Sequence, residues 1–216
     1  MTAPALVIFD CDGVLVDSER LSHHVLKEMI AEHGVDLTLE ETIERFMGTS
    51  TEKCLEILGT LIGGSAPAAF FAQFQARTFA AFRASLAPVA GIPELVCALK
   101  VPYCVASNGP REKMRLTLGL TGLLPHFDGR MFSAQDVKRP KPAPDLFLHA
   151  ASTLGAAARD CLVVEDTPTG VAAARAAGMR VLGFAAMGQA DKLRQAGAHG
   201  TFARMSELPA WLDASA

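Results

Sequence analysis

The chain has 216 residues, half of them hydrophobic and a fifth charged, with a net charge of −3. That balance fits one substantial core, or a core domain with a small insert, and excludes an intrinsically disordered chain. The charge offers no basic footprint for nucleic acid, and no apolar run reaches the length of a bilayer-spanning helix.

The N-terminal Met1-Thr2-Ala3-Pro4 carries no basic segment leading into a signal peptide. Five cysteines, an odd number without a Cys-x-x-Cys pair, read as free thiols in a reducing cytoplasm. The first apolar run, Leu6-Val7-Ile8-Phe9, ends in Asp10-Cys11-Asp12-Gly13. Alternation sends residues i and i+2 of a strand to the same side, so Asp10 and Asp12 address one small volume at the strand's tip. Two carboxylates crowded there repel unless a cation or a shared proton relieves them. Taken alone, the pair reads equally well as a solvated acidic turn.

From Ser18 to about Leu86 there is no strand pattern. Leu21, Val25, Leu26, Met29 and Ile30 mark one face of a helix that ends near Gly34. Thr38 and Glu41 have the spacing of a capping box for the next helix, and another helix follows Ser50. Gly63 to Pro67 is a break, after which Phe70, Phe71, Phe74, Thr78 and Phe82 form a stripe suited to packing among helices. The crossings into and out of this insert, near 16–20 and 84–91, are candidate hinges.

Beyond the insert, short apolar runs alternate with helical patterns. The runs are Tyr103–Ala106, Gly129–Phe132, Cys161–Val164 and Arg180–Phe184, and the helical patterns lie near 92–100, 111–118, 144–154, 169–177 and 189–196. Most runs are continuous rather than alternating, as in parallel strands covered on both faces. The expectation is an α/β fold: a doubly wound parallel sheet in residues 1–17 and 87–216, with a small helical domain, 18–86, inserted after the first strand.

Ligands of such sheets bind beyond the carboxyl ends of the strands. There the first strand offers Asp10 and Asp12, the second Ser107-Asn108-Gly109, and the Cys161 strand Glu165-Asp166-Thr167; between the last two lies the basic turn containing Lys141. Singly, Ser107 reads as a helix cap, Lys141 as a solvated charge and Glu165-Asp166 as an N-cap pair. Together they supply carboxylates for a cation, a hydroxyl and turn amides for anionic oxygens, and an ammonium. That combination points to Mg²⁺ and a phosphate, while zinc is disfavoured because no His or Cys cluster accompanies the acids.

The segments FDCDGVLVDSE, VASNG, KPAPDLF and VVEDTPTGVAAARAAGM, in that order, resemble the four motifs of the haloacid-dehalogenase superfamily of phosphohydrolases. The insert after the first motif resembles the helical cap of the type that includes β-phosphoglucomutase, phosphonatase and many sugar-phosphate phosphatases. The stretch from Val101 to Ala151 also resembles the enterobacterial 6-phosphogluconate phosphatase group. The resemblance implies that Asp10 is the nucleophile of an aspartyl-phosphate mechanism and Asp12 the general acid, then base. It implies that Asp10, the Asp12 carbonyl and Asp166, with Glu165 beside it, serve Mg²⁺, that Ser107 and the Asn108 amide hold phosphoryl oxygens, and that Lys141 neutralises charge.

Within the superfamily, Asp12 argues against a dehalogenase. Phosphonatase needs a lysine three residues after the cap glycine; here Gly48 is followed by Thr49, Ser50 and Thr51, and Lys53 falls two places late. Ser22 and Thr51 stand where a mutase is expected to carry His and Arg for a second phosphate, and His23 and His24 point elsewhere on a helix. The expectation is therefore a cytoplasmic Mg²⁺-dependent phosphomonoesterase, monomeric or weakly dimeric. Its substrate is a small sugar or sugar-acid phosphate such as 6-phosphogluconate, chosen by Ser22, Met47, Thr49, Ser50, Thr51, Lys53 and Arg77. The alternatives are a phosphosugar mutase and a catalytically silent binding module.

Overall fold

In chain order, the computed structural model begins with β1 (Leu6–Phe9), followed by four helices, α1 (Ser18–Ala31), α2 (Leu39–Phe46), α3 (Thr51–Leu61) and α4 (Phe70–Ser85). It continues with α5 (Ile92–Ala98), β2 (Tyr103–Ser107), α6 (Arg111–Leu120), α7 (Leu124–Phe127), β3 (Met131–Ser133) and α8 (Asp145–Thr153). The last elements are β4 (Cys161–Glu165), α9 (Pro168–Ala176), β5 (Arg180–Phe184), α10 (Ala190–Gln195), β6 (Gly200–Phe202) and α11 (Leu208–Asp213). The structure describes residues 3–47, 49 and 51–213. Gly48 and Ser50, singled out in the sequence, lie outside the described residues. The chain divides into two units, one of residues up to Asp17 and from Ala87 onward, the other Ser18–Leu86.

The first unit is a six-stranded sheet in the order β3-β2-β1-β4-β5-β6, parallel throughout. β1 is wholly buried and pairs on one side with β2 (Ile8↔Cys104) and on the other with β4 (Phe9↔Val164). The chain leaves β1 toward β2 and β3, then returns to add β4 on the opposite side. That reversal is the switch point at which such sheets open a crevice. Leu6 and Ile8 face a core with Cys104, Ala106, Phe132, Val163 and Val181, closed by Phe147, Ala150, Val171, Ala173, Ala174 and Leu193 from α8, α9 and α10. The small residues of α9 let that helix lie close to the sheet. Val7 and Phe9 point the other way, where Phe9 meets Tyr103 edge-on at 6.4 Å and Tyr103 meets Phe127 at 5.4 Å.

The second unit is entirely helical among its described residues. Val25, Leu26, Met29 and Ile30 of α1 pack with Leu37, Phe46, Leu58 and Phe70. Phe70, Thr78 and Phe82 of the aromatic stripe are buried and Phe71 and Phe74 half-buried, so the stripe is packing surface. Both bonds of the capping box form: Glu41 N–H donates to Thr38 Oγ1 at 3.1 Å, and Thr38 N–H to Glu41 Oε2 at 2.8 Å. The segments joining the insert to the sheet unit run side by side, with Asp17 N–H donating to Ala87 O and Val89 N–H to Leu15 O, each at 3.0 Å.

Some elements depart from the sequence reading. β3 starts at Met131 because Gly129 takes a left-handed φ of 73° and belongs to the preceding turn. β2 and β4 each run one residue further, so Ser107 and Glu165 end strands rather than begin loops. β6, α7 and α11 had no visible pattern: β6 has three residues and α7 four, too few for a period to register. Replacing the Thr38 cap by alanine is expected to lower stability by about 1 kcal/mol, read as a shifted urea midpoint followed by circular dichroism.

Candidate active site

Among the described residues, every buried Asp, Glu, Lys or Arg lies at one edge of the sheet: Asp10, Lys141, Glu165 and Asp166. Burying charge is costly unless it is paired and hydrogen-bonded, so this clustering marks a purpose other than stability. Asp10 follows β1 directly, its N–H still donating to Val164 O at 3.0 Å, which fixes it between the tips of β2 and β4. The Lys141 ammonium donates to Asp10 Oδ1 at 2.5 Å, Glu165 Oε1 at 2.7 Å and Ala106 O at 2.8 Å, and lies 4.6 Å from the centre of the Phe147 ring. An ammonium has three protons, and each has an acceptor here. Burial pushes the Asp10 carboxyl up to about 7 against the pull of Lys141, with Glu165 and Asp12 adding to the rise. Burial by itself would depress the Lys141 ammonium, but Asp10 and Glu165 together hold it above its usual range.

The loop carrying Lys141 is tied down by Asn108. Its side-chain Nδ2 donates to Lys141 O at 3.1 Å while its Oδ1 accepts from Lys141 N–H at 3.0 Å. Ser107 is 3% exposed, and its hydroxyl accepts from Gly109 N–H at 3.1 Å. It does not cap α6, whose N-cap is Pro110 without a side-chain bond.

Glu165 is fully engaged. Besides Lys141, its other oxygen accepts from Thr167 N–H at 3.0 Å and from the Thr167 hydroxyl at 2.9 Å. That hydroxyl in turn accepts from Gly170 N–H at 3.1 Å as the N-cap of α9. The capping role thus falls to Thr167, not to Glu165-Asp166, and the Glu165 carboxylate serves Lys141 rather than pointing outward as a metal ligand. Asp166 is buried, and Gln189 Nε2 donates to its backbone carbonyl at 3.1 Å. Asp12 is the more accessible carboxylate, and its Oδ2 pairs with Lys113 Nζ at 2.8 Å.

Lys113, Gly170 and Gln189 escaped the sequence reading, and Thr167 was named there without a role of its own. Lys113 sits in Arg111-Glu112-Lys113, the composition of a solvated helix start. Gly170 left a signal only in hindsight: a Cβ there would lie 1.7 Å from Glu165 Oε1 and 2.4 Å from Oε2, so only glycine admits the carboxylate against the first turn of α9.

The candidate specificity residues all belong to the helical unit. Ser22 Oγ donates to Ser18 O and Thr49 Oγ1 to Phe46 O, both at 2.7 Å. Met47 ends α2 and Thr51 begins α3. Lys53 pairs with Glu56 at 2.8 Å, and Arg77 forms a two-pronged pair with Glu32 at 2.5 and 3.0 Å, all four side chains being exposed. The charges of Lys53 and Arg77, which the sequence offers as substrate contacts but more readily as a solvated helix face, are directed to neighbouring glutamates at the surface.

Among the described residues no three His, Cys, Asp or Glu side chains converge as an enclosing metal cage. The donors at the strand tips are instead hard oxygens, the Asp10 and Asp166 carboxylates and the Asp12 carbonyl. Mg²⁺ takes one or two carboxylates and completes its shell with water and phosphate oxygen. Three buried carboxylates set against one buried ammonium also leave negative charge that a divalent ion would offset. On both counts the residues fit Mg²⁺.

A buried carboxylate at a sheet switch point, flanked by a buried ammonium and a second carboxylate, suits phosphoryl transfer. Residues 7–184 match the family model described as haloacid dehalogenase-like hydrolase, and the chain belongs to that family. It is 34% identical over 208 residues to 6-phosphogluconate phosphatase of Escherichia coli K12, covering 94% of this chain and 92% of the relative. A haloacid dehalogenase-like protein of Agrobacterium tumefaciens C58 superposes with a TM-score of 0.91 at 34% identity, over 97% of this chain and 98% of that one. A hydrolase of the family from Deinococcus radiodurans R1, solved with bound phosphate and sodium, superposes with a TM-score of 0.90 at 32% identity, over 100% and 97% of the two chains. The protein is a phosphatase of that family. No helix among the described residues is long and apolar enough to cross a membrane.

Gly170→Ala is expected to displace Glu165 and unseat Lys141. The cost is about 1–3 kcal/mol, as for other overpacked sites, together with a fall in phosphatase activity larger than the stability loss explains. Thermal melting beside steady-state phosphate release checks both.

Proposed function

We propose that the protein is a Mg²⁺-dependent phosphomonoesterase acting on a small sugar or sugar-acid phosphate through an aspartyl-phosphate intermediate. The observation that carries this reading is the Lys141 ammonium, bonded at 2.5 Å to Asp10 and buried with it. A carboxylate attacking a phosphoryl dianion meets charge repulsion, and a fixed cation beside it lowers that cost.

Asp10 forms the new bond to phosphorus and is in turn displaced by water. Asp12 gives a proton to the departing alcohol oxygen, and the resulting carboxylate then takes one from the attacking water. The Ser107 hydroxyl and the Asn108 backbone amide hold phosphoryl oxygens, and Lys141 favours the ionised form of Asp10 against the effect of its burial. Asp10, Asp166 and the Asp12 carbonyl would hold Mg²⁺, which would supply further charge compensation. Glu165 acts through Lys141 and Thr167 rather than on the metal. The sugar-acid choice rests on likeness to the E. coli enzyme, and the residues left to discriminate substrates are Ser22, Met47, Thr49, Ser50 and Thr51.

The test is release of inorganic phosphate from 6-phosphogluconate, hexose, pentose and polyol phosphates, with Mg²⁺ or with chelator. Selective release that chelation removes, and that Asp10→Asn abolishes while the protein stays folded, is the expected outcome. Near wild-type turnover by Asp10→Asn would sink the assignment. Conversion of β-glucose 1-phosphate to glucose 6-phosphate with a bisphosphate activator, without phosphate release, would make it a mutase. Lys141→Ala leaves two buried carboxylates uncompensated and is expected to cost about 3–5 kcal/mol of stability as well as activity.

A further inference from the structure

The mechanism leaves one charged side chain of this edge unused. Lys113, in the first turn of α6, directs its ammonium onto Asp12 Oδ2 at 2.8 Å, with 28% of its side chain and 17% of that of Asp12 exposed. The two lysines divide the two aspartates between them, Lys141 on Asp10 and Lys113 on Asp12.

Lys113 is held from a rigid frame. Arg111, two residues earlier, donates to Met131 O at 2.7 Å and pairs with Asp136 Oδ2 at 2.6 Å, and its N–H donates to Gln135 Oε1 at 3.1 Å. Ser133 Oγ donates to Gly109 O at 2.8 Å. The start of α6 is therefore pinned to the tip of β3. Gly109 fills the space between the groups: a Cβ there would come within 3.4 Å of Ser107 Oγ, 3.7 Å of Lys113 Cδ and 3.8 Å of Asp12 Oδ2. Ser107, Asp12 and Lys113 thus all border Gly109.

We propose that Lys113 is a positioning residue for Asp12. By holding one carboxylate oxygen it fixes the rotation of the group, so that the other oxygen meets the leaving alcohol. This rests on the reading of Asp12 as the acid. As the bond from Asp10 to phosphorus forms, the bond from phosphorus to the ester oxygen breaks, and the proton of the Asp12 carboxyl moves to that oxygen. A misaligned acid slows this step only where the leaving oxygen needs the proton.

The experiment compares kcat/KM for two leaving groups, a sugar or other alkyl phosphate and p-nitrophenyl phosphate, whose nitrophenolate departs unprotonated. General acid catalysis contributes about 10²–10⁴-fold, and loss of its alignment in Lys113→Met is expected to cost about 10²-fold on the alkyl phosphate. The loss on the aryl phosphate is expected to be far smaller. Lys113→Arg, which keeps a cation in reach, is expected to recover most of the alkyl activity. Equal losses on both substrates, or no loss on either, would overturn the proposal. Asp12→Asn is the control: if it too shows no leaving-group selectivity, the assignment of Asp12 as the acid fails, and not merely the role of Lys113. Should Lys113→Met not fold, Lys113→Gln reads the same ratio.

Discussion

Lys141 joins three strand tips through one nitrogen: Asp10 beyond β1, Ala106 within β2 and Glu165 at the end of β4. The three strands are neighbours in the sheet, with β1 in the middle. The rest of the site depends on this arrangement. Glu165 is placed by Thr167 and by the missing side chain of Gly170, the Lys141 backbone by Asn108, and the aromatic floor by Phe147. Removing any one leaves a buried charge with incomplete compensation, which explains why elements distant in sequence converge on a single ammonium.

The same arrangement sets the charge balance of the buried Asp10. Desolvation favours the neutral form of Asp10 strongly enough to bring it up to about 7 even with Lys141 in contact. A second cation beside it would favour the ionised form, which is the part proposed for Mg²⁺. Placing the cluster at the switch point of the sheet keeps these polar groups out of the apolar core beneath, where Ile8, Val163 and Phe147 are fully enclosed.

Much of this was legible in the chain. Parallel strands buried on both faces are continuous apolar runs, so β1, β2, β4 and β5 stood out, and the polar residues that end β1, β2 and β4 are those gathered at one edge of the sheet. The capping box of Thr38 was equally readable, because cap geometry is local. What was hidden depends on contacts distant in sequence. Nothing local shows that Lys113 reaches Asp12, that Glu165 turns inward to Lys141, or that Arg77 is engaged by Glu32. Short edge elements such as β6 were hidden too, since three residues carry no period.

The reciprocal hydrogen bonds between Asn108 and the backbone of Lys141, and the full engagement of the Lys141 ammonium, have a joint consequence for ligand affinity. A tethered lysine with every proton already accepted cannot add a bond to an incoming oxyanion; it can only exchange one acceptor for another. The affinity for any phosphoryl group that touches it is then a difference between two good contacts rather than the strength of one. A site built so discriminates through the charge it accumulates during reaction more than through tight capture of what enters.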